Sequence, residues 1–301
     1  MKNYLEIPSH ASLGENPFWD PISKKCLWTD IVEGKIFSWL PGSSKFQLEI
    51  SCGSQTGAFL RDKKGNLVIL TAAGLMLSAS TASGWQTPKM IYPFQLPPDF
   101  RYNDAIADPE GRIIAGIKNE KNENGILYSF APGKKPLALL QNLNISNGMG
   151  FSPDKHTFYH TDSGKGSITA WDYHLETGTI SNPRRIFHSE KSNEVPDGMT
   201  VDSDGSIFTA LWGGGCILKI TPDGYILERI SLPAQQVSSV CFAGEELKDL
   251  FITSASIGST NLISGEDANG HFLGGNCYLF SDMAHGKAEF CCNLPELYIR
   301  L

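Results

Sequence analysis

Long apolar runs, paired cysteines and a surplus of positive charge are all missing from this sequence. No stretch approaches the ~20 apolar residues that a membrane-spanning helix needs, so no membrane partner is expected. The opening segment, Met1-Lys2-Asn3-Tyr4-Leu5-Glu6-Ile7-Pro8, has no apolar core of a secretory signal, which points to a cytoplasmic protein. Charged residues make up only 19% of the 301 residues, and 32 acids against 25 Lys and Arg give a net charge of -7. A chain with that balance has no basic footprint for nucleic acid. The seven Cys, at 26, 52, 216, 241, 277, 291 and 292, are odd in number and form no Cys-x-x-Cys pair. That pattern excludes a disulfide framework and reads as free buried thiols in a reducing compartment. A Gly-x-Ser-x-Gly elbow is absent, which counts against a serine esterase. Gly213-Gly214-Gly215 lacks the Lys-Ser of a phosphate-binding loop and reads as a tight turn between strands. Asn144-Ile145-Ser146 matches a glycosylation acceptor, which means nothing without export.

Helical periodicity is missing too, and a repeat stands in its place. Each unit carries a small or polar residue, an apolar strand, an Asp- or Gly-containing turn and a second apolar strand. The clearest copy is Pro196-Asp197-Gly198-Met199-Thr200-Val201, then Asp202-Ser203-Asp204-Gly205, then Ile207-Phe208-Thr209-Ala210. Copies begin at residues 16, 57, 104, 148, 198 and 238, in steps of 41, 47, 44, 50 and 40 residues. Three or four short strands per unit at that spacing predict an all-β chain, a six-bladed β-propeller over residues 1–301 as one domain. Tyr4-Leu5-Glu6-Ile7 and Phe290-Cys291-Cys292-Asn293-Leu294 are strand-like ends, and their pairing in one blade would close the ring.

In a propeller the first strand of each blade lines the central channel, so the residues just before those strands share one rim. They are Glu15, Thr56, Asn103, Asn147, Asp197 and either Val237 or Ser238. Glu15, Asn147 and Asp197 are hard oxygen donors suited to calcium, magnesium or manganese, and no Cys or His joins them as in a structural zinc site. Asn147-Gly148 or Asp197-Gly198 alone is as readily a turn. Their common register in three repeats is what favours the ligand reading. Arg101 lies two residues before Asn103, on the same side of an extended segment.

Four segments in this order carry a resemblance: Gly14-Glu15-Asn16-Pro17, Arg101-Tyr102-Asn103-Asp104 with Asp108-Pro109-Glu110-Gly111-Arg112, Ser146-Asn147-Gly148, and Pro196-Asp197-Gly198. With Trp171-Asp172-Tyr173 and Thr177-Gly178, the chain resembles the SMP-30/gluconolactonase/LRE family of six-bladed propellers over nearly its whole length. The resemblance implies one divalent ion, calcium first with zinc, magnesium, manganese or iron(II) as alternatives, held by Glu15, Asn147 and Asp197. It implies hydrolysis of a sugar lactone to the aldonic acid, with Asp197 steering or deprotonating the attacking water and Arg101 and Asn103 binding the substrate. Animal members often place a Glu in the loop after the third blade's second strand. Direct counting reaches Lys121 here, so Glu120 or Glu123 is expected to take that part, with Glu120 the first choice as a substrate-binding residue.

Other signals read as structural. His156 and His160 are spaced like a helical zinc pair but fall on a predicted strand, about 13 Å apart. Asp202-Ser203-Asp204-Gly205 resembles the start of a calcium loop, but its twelfth position is Gly213. Trp19, Trp28, Trp39, Trp171 and Trp212 read as packing between blades. The segments 117–125 and 257–274 would set the size of the pocket. Two alternatives to the lactonase remain at this point, another ester or organophosphate hydrolase at the same metal and a non-catalytic calcium- or ligand-binding propeller. Oligomeric state has no signature in the sequence.

Overall fold

In the computed structural model, residues 4–82, 84–121, 124–257 and 273–293 are described. They form six four-stranded antiparallel sheets around one channel, a six-bladed β-propeller, with a small extra hairpin of Ser80–Thr81 and Gly84–Trp85. Among the described residues the single helical element is the 3-10 turn Ser163–Lys165, and none of them forms a helix long and apolar enough to cross a membrane. The innermost strands of blades I to VI are Gly14–Asp20, Thr56–Arg61, Phe100–Ala107, Ser146–Phe151, Val195–Val201 and Val237–Ala243.

The apolar residues of the repeat pack across the seams between blades. Six buried clusters occupy the six seams, each drawn from two neighbouring sheets. Trp19, Cys26, Trp28 and Trp39 of blade I, for example, meet Cys241, Phe251 and Cys277 of blade VI. A single blade cannot bury both its faces alone, so the ring must close to complete the core. The turns at the far end are held alike: Asp62, Asp108 and Asp202 each accept backbone N–H bonds from residues two and four positions ahead. These are local Asx turns, which accounts for the resemblance of Asp202–Gly205 to a calcium loop.

The ring closes differently from the expected pairing. Tyr4–Ile7 is the outer strand of blade VI, but its partner is Cys277–Phe280. The downstream segment forms no blade strand. Residues 281–293 cross the end of the channel, bonding Lys248 and Leu247 of blade VI, Ser203 of blade V, Arg61 and Lys63 of blade II and Gly111 of blade III through the backbone. Cys292 makes an isolated parallel bridge to Asp62. An alternating apolar run signals burial, and the underside of a propeller buries it as well as a sheet does. Leu294 lies outside the described residues.

One irregularity recurs in all six inner strands. The pairing with the second strand slips between Glu15 and Phe18, Thr56 and Ala58, Tyr102 and Asp104, Asn147 and Met149, Pro196 and Met199, and Val237 and Ser239. Each slip is a β-bulge with one extra residue on the inner strand. The rim residues therefore sit within these strands, not before them as the repeat suggested. A bulge twists the strand and re-aims the neighbouring side chains. Gly148 and Gly198 occupy two bulges, where a Cβ would stand 2.2 Å from the Asp197 carbonyl oxygen and 2.0 Å from Ser239 Oγ respectively. Only glycine permits the inner strands to approach so closely.

Candidate active site

At the end of the channel opposite the crossing segment is a cavity of about 490 Å³ that gathers Glu15, Arg101, Asn103, Glu120, Asn147 and Asp197 from blades I, III, IV and V. Thr56 and Ser238, read from the same register, are fully buried but do not line it. His160 is buried in blade IV and His156 lies just before the strand Thr157–Asp162, so neither joins the cavity.

The floor is made of buried oxygen donors. Asn147 donates through Nδ2 to Ser163 Oγ at 3.2 Å, and Ser163 Oγ donates to the Pro196 carbonyl at 2.7 Å. That fixes the amide and leaves Asn147 Oδ1 buried with no hydrogen-bond partner among the described residues, as is Asp197 Oδ1. Glu15 accepts a long bond from Asn16 N–H, 3.3 Å. Burial pushes the Glu15 carboxyl well above the ordinary carboxylate range, and the charges of Asp197 and Asp104 add to it. Burial raises Asp197 in the same way, followed by the charge of Asp104, with Arg101 pulling the other way. Orphaned buried polar atoms cost roughly 1–3 kcal/mol each unless something satisfies them. Two such oxygens beside a second buried carboxylate fit a hard divalent cation, which would supply the positive charge that this floor lacks. Among the described residues no three of His, Cys, Asp or Glu converge as a ligand set. The candidate donors are two carboxylates and an amide.

The wall belongs to blade III. Arg101 Nε donates to Glu120 Oε1 at 2.5 Å and its Nη1 to Asn103 Oδ1 at 2.6 Å, while Asn103 Nδ2 donates to the Ser146 carbonyl at 2.9 Å. Ser146 Oγ in turn meets His160 Nε2 at 2.8 Å, and burial pushes that imidazole down to about 4, so it is neutral. Charged Arg101 is thereby held by a bonded chain running back into blade IV. Glu120 is lowered from its ordinary value: partial burial would raise it, but the Arg101 guanidinium and Lys118 ammonium outweigh that.

Of the two carboxylates expected in this loop, one lies among the described residues. Glu120 lines the cavity, whereas Lys121 turns outward to Asp99 at 2.8 Å, and Glu123 lies outside the described residues. Lys118, Ser163 and Trp212 also face the cavity and were not anticipated. Lys118 could have been found from period-2 alternation with Glu120. Trp212, expected between blades, ends its strand at the mouth beside Val195 and Ile257. Ile257 begins the second pocket-forming segment, whose residues 258–272 lie outside the described ones.

Comparison with known proteins agrees in extent with this architecture. The family model described as SMP-30/Gluconolactonase/LRE-like region matches residues 13–256. The chain is 29% identical to the pentonolactonase XacC of Haloferax volcanii over 285 residues, 94% of this chain and 96% of that protein. It is 32% identical to the regucalcin of Danio rerio over 260 residues, 84% of this chain and 86% of that one. Among solved structures, a luciferin-regenerating enzyme superposes with a TM-score of 0.87 at 25% identity, covering 98% of this chain and all of that one. The chain belongs to the SMP-30/gluconolactonase/LRE-like family.

Proposed function

We propose that the protein hydrolyses a sugar lactone to its aldonic acid, using one divalent cation, calcium in the first place, held by Glu15, Asn147 and Asp197. The observation that carries this reading is the pair of buried, unpartnered oxygens, Asn147 Oδ1 and Asp197 Oδ1, on the floor of the cavity beside Glu15. The relatives support the substrate class, since one of them is named a pentonolactonase. When bound, a divalent ion in such a site polarises an ester carbonyl and acidifies nearby water.

The chain's own residues supply the rest. Arg101, fixed between Glu120 and Asn103, offers its remaining N–H groups to the lactone's oxygens, and Asn103 shares the same wall. Their rigid placement holds the ring over the floor, which lowers the entropic part of the barrier. Asp197 takes a proton from the water as its oxygen adds to the carbonyl carbon. The ring C–O bond then breaks and the alkoxide takes that proton back, giving the hydroxy acid. Trp212 and the aliphatic side chains around it wall the mouth against bulk water. Seven cysteines with no disulfide among them support a cytoplasmic setting, and we take residues 1–301 to act as one domain.

The test is acid release from a panel of aldonolactones after chelation, with calcium, magnesium, manganese, zinc and iron(II) restored singly. Metal-restored hydrolysis that disappears in a folded Asp197→Ala protein is expected. A folded protein that binds metal yet turns over no lactone would refute the assignment in favour of another ester, a phosphotriester or a purely ion-binding role.

A further inference from the structure

The cavity wall carries more positive charge than a neutral sugar lactone can use. Sheet pairing sets Lys118 directly opposite Arg101, so both side chains rise from the same face of blade III. Like charges directly opposite one another on a strand pair are destabilising. One carboxylate lies between them: Glu120 takes Arg101 on Oε1 at 2.5 Å and Lys118 on Oε2 at 3.2 Å. Among the described residues two cations of this wall share one anion, leaving one positive charge in excess. Across from it, the negative charge of Glu15 and Asp197 is matched by the divalent ion of the proposed function, so it does not cancel that excess. The Lys118 side chain is 23% exposed and lines the cavity, while Arg101 is 9% exposed and committed to Glu120 and Asn103. Among the described residues Lys118, held by Glu120 alone at 3.2 Å, is therefore the cation of this pair whose head group can take a further partner.

We propose that Lys118 is a specificity-determining residue that receives an anionic substituent of the lactone, a carboxylate or a phosphate monoester, at the end of the sugar remote from the ring carbonyl. This rests on the lactonase reading. The floor acts on the ester, and the blade III wall grips the distal charge. A lysine suits this task because its ammonium is a flexible point charge that can leave Glu120 for the substrate, with Arg101 remaining to hold Glu120 in place.

Two pairs of substrates isolate the effect with calcium present: glucono-1,4-lactone against glucaro-1,4-lactone, which differ by a carboxylate, and glucono-1,5-lactone against 6-phosphoglucono-1,5-lactone, which differ by a phosphate. Wild-type kcat/KM is expected to favour one anionic member by about tenfold or more through KM, with the preference shrinking as salt rises. The pair that shows the preference identifies the anion. In Lys118→Met that preference should vanish while rates on the neutral lactones change less than about threefold, and Lys118→Arg should restore part of it. Equal rates on both members of both pairs, or an equal loss on neutral and anionic lactones in Lys118→Met, would overturn the proposal and leave the lactonase intact. If no lactone is turned over, the lactonase reading fails separately and calorimetry decides. Glucarate or 6-phosphogluconate binding about tenfold more tightly than gluconate, with the difference lost in Lys118→Met, supports the anion site, and equal binding refutes it.

Discussion

Asp104 offers a quantitative check on the electrostatics of the channel. It follows Asn103 on the blade III inner strand and faces a chamber of about 60 Å³ on the side of the crossing segment, near Glu289 and Phe290. Burial pushes its carboxyl up to about 7. The Ala105 N–H bond at 2.7 Å opposes that rise and the charge of Glu289 adds to it. In the unfolded chain the same group ionises near 3.8. The folded state thus keeps a proton that the unfolded state gives up, so the stability contributed below pH ~4 is lost as pH rises through 7. A rise from 3.8 to about 7 corresponds to about 4 kcal/mol at 1.36 kcal/mol per unit. Water in the chamber screens the charge, so about 2 kcal/mol is the lower expectation. Asp104→Asn cannot ionise and keeps an oxygen for Ala105 N–H. With an unfolding entropy of about 0.6 kcal/mol/K for a chain this long, the chelated variant should melt about 3–6 °C above wild type at pH 8 and under about 2 °C above it at pH 4.5. Added calcium should narrow the gap at pH 8, because the carboxylates of Glu15 and Asp197 share the field of Asp104. A gap independent of pH, or a less stable variant at pH 8, would refute this account.

Three further outcomes are expected. Gly148→Ala places a Cβ 2.2 Å from the Asp197 carbonyl oxygen and must push the inner strands of blades IV and V apart. We expect a folded protein with kcat/KM lowered about 100-fold in lactone hydrolysis, and unchanged kinetics would show that the close approach is dispensable. Glu120→Gln removes the ionised partner of Arg101 and Lys118, so KM should rise about tenfold with kcat within about threefold, measured by initial rates at pH 7. Deleting residues 1–8 removes the strand Tyr4–Ile7, the Tyr4 contacts with Tyr278 and Phe280 at 5.5 and 5.4 Å, and buried Ile7. That should lower Tm by about 5 °C, and an unchanged Tm would mean the strand does not hold the ring closed.

Much of the architecture was legible because each blade is made locally. Alternating strands and Asp- or Gly-containing turns are short-range features, and six copies of them specify a propeller whichever way the seams are filled. The common position of Glu15, Asn147 and Asp197 in the repeat was legible as well, but the bulge that sets them within the strands, at one end of the channel, was not. Long-range partners were not visible. Phe290–Asn293 and Cys277–Phe280 are both apolar enough for a closing strand, and the choice depends on which edge of blade VI is open and what remains to cover the channel's far end. Likewise Glu120 and Lys121, just past the strand Ile113–Asn119, differ by one position in sequence but turn to different partners in space. One points into the cavity and the other to Asp99. The sequence by itself determined the repeat, the fold class and the chemical kind of the floor, because these depend on residue type and local period. Only the tertiary structure decided the ring-closing pair, the buried oxygens left without partners and the placement of Lys118 opposite Arg101, because each is a meeting between strands whose register no local signal encodes.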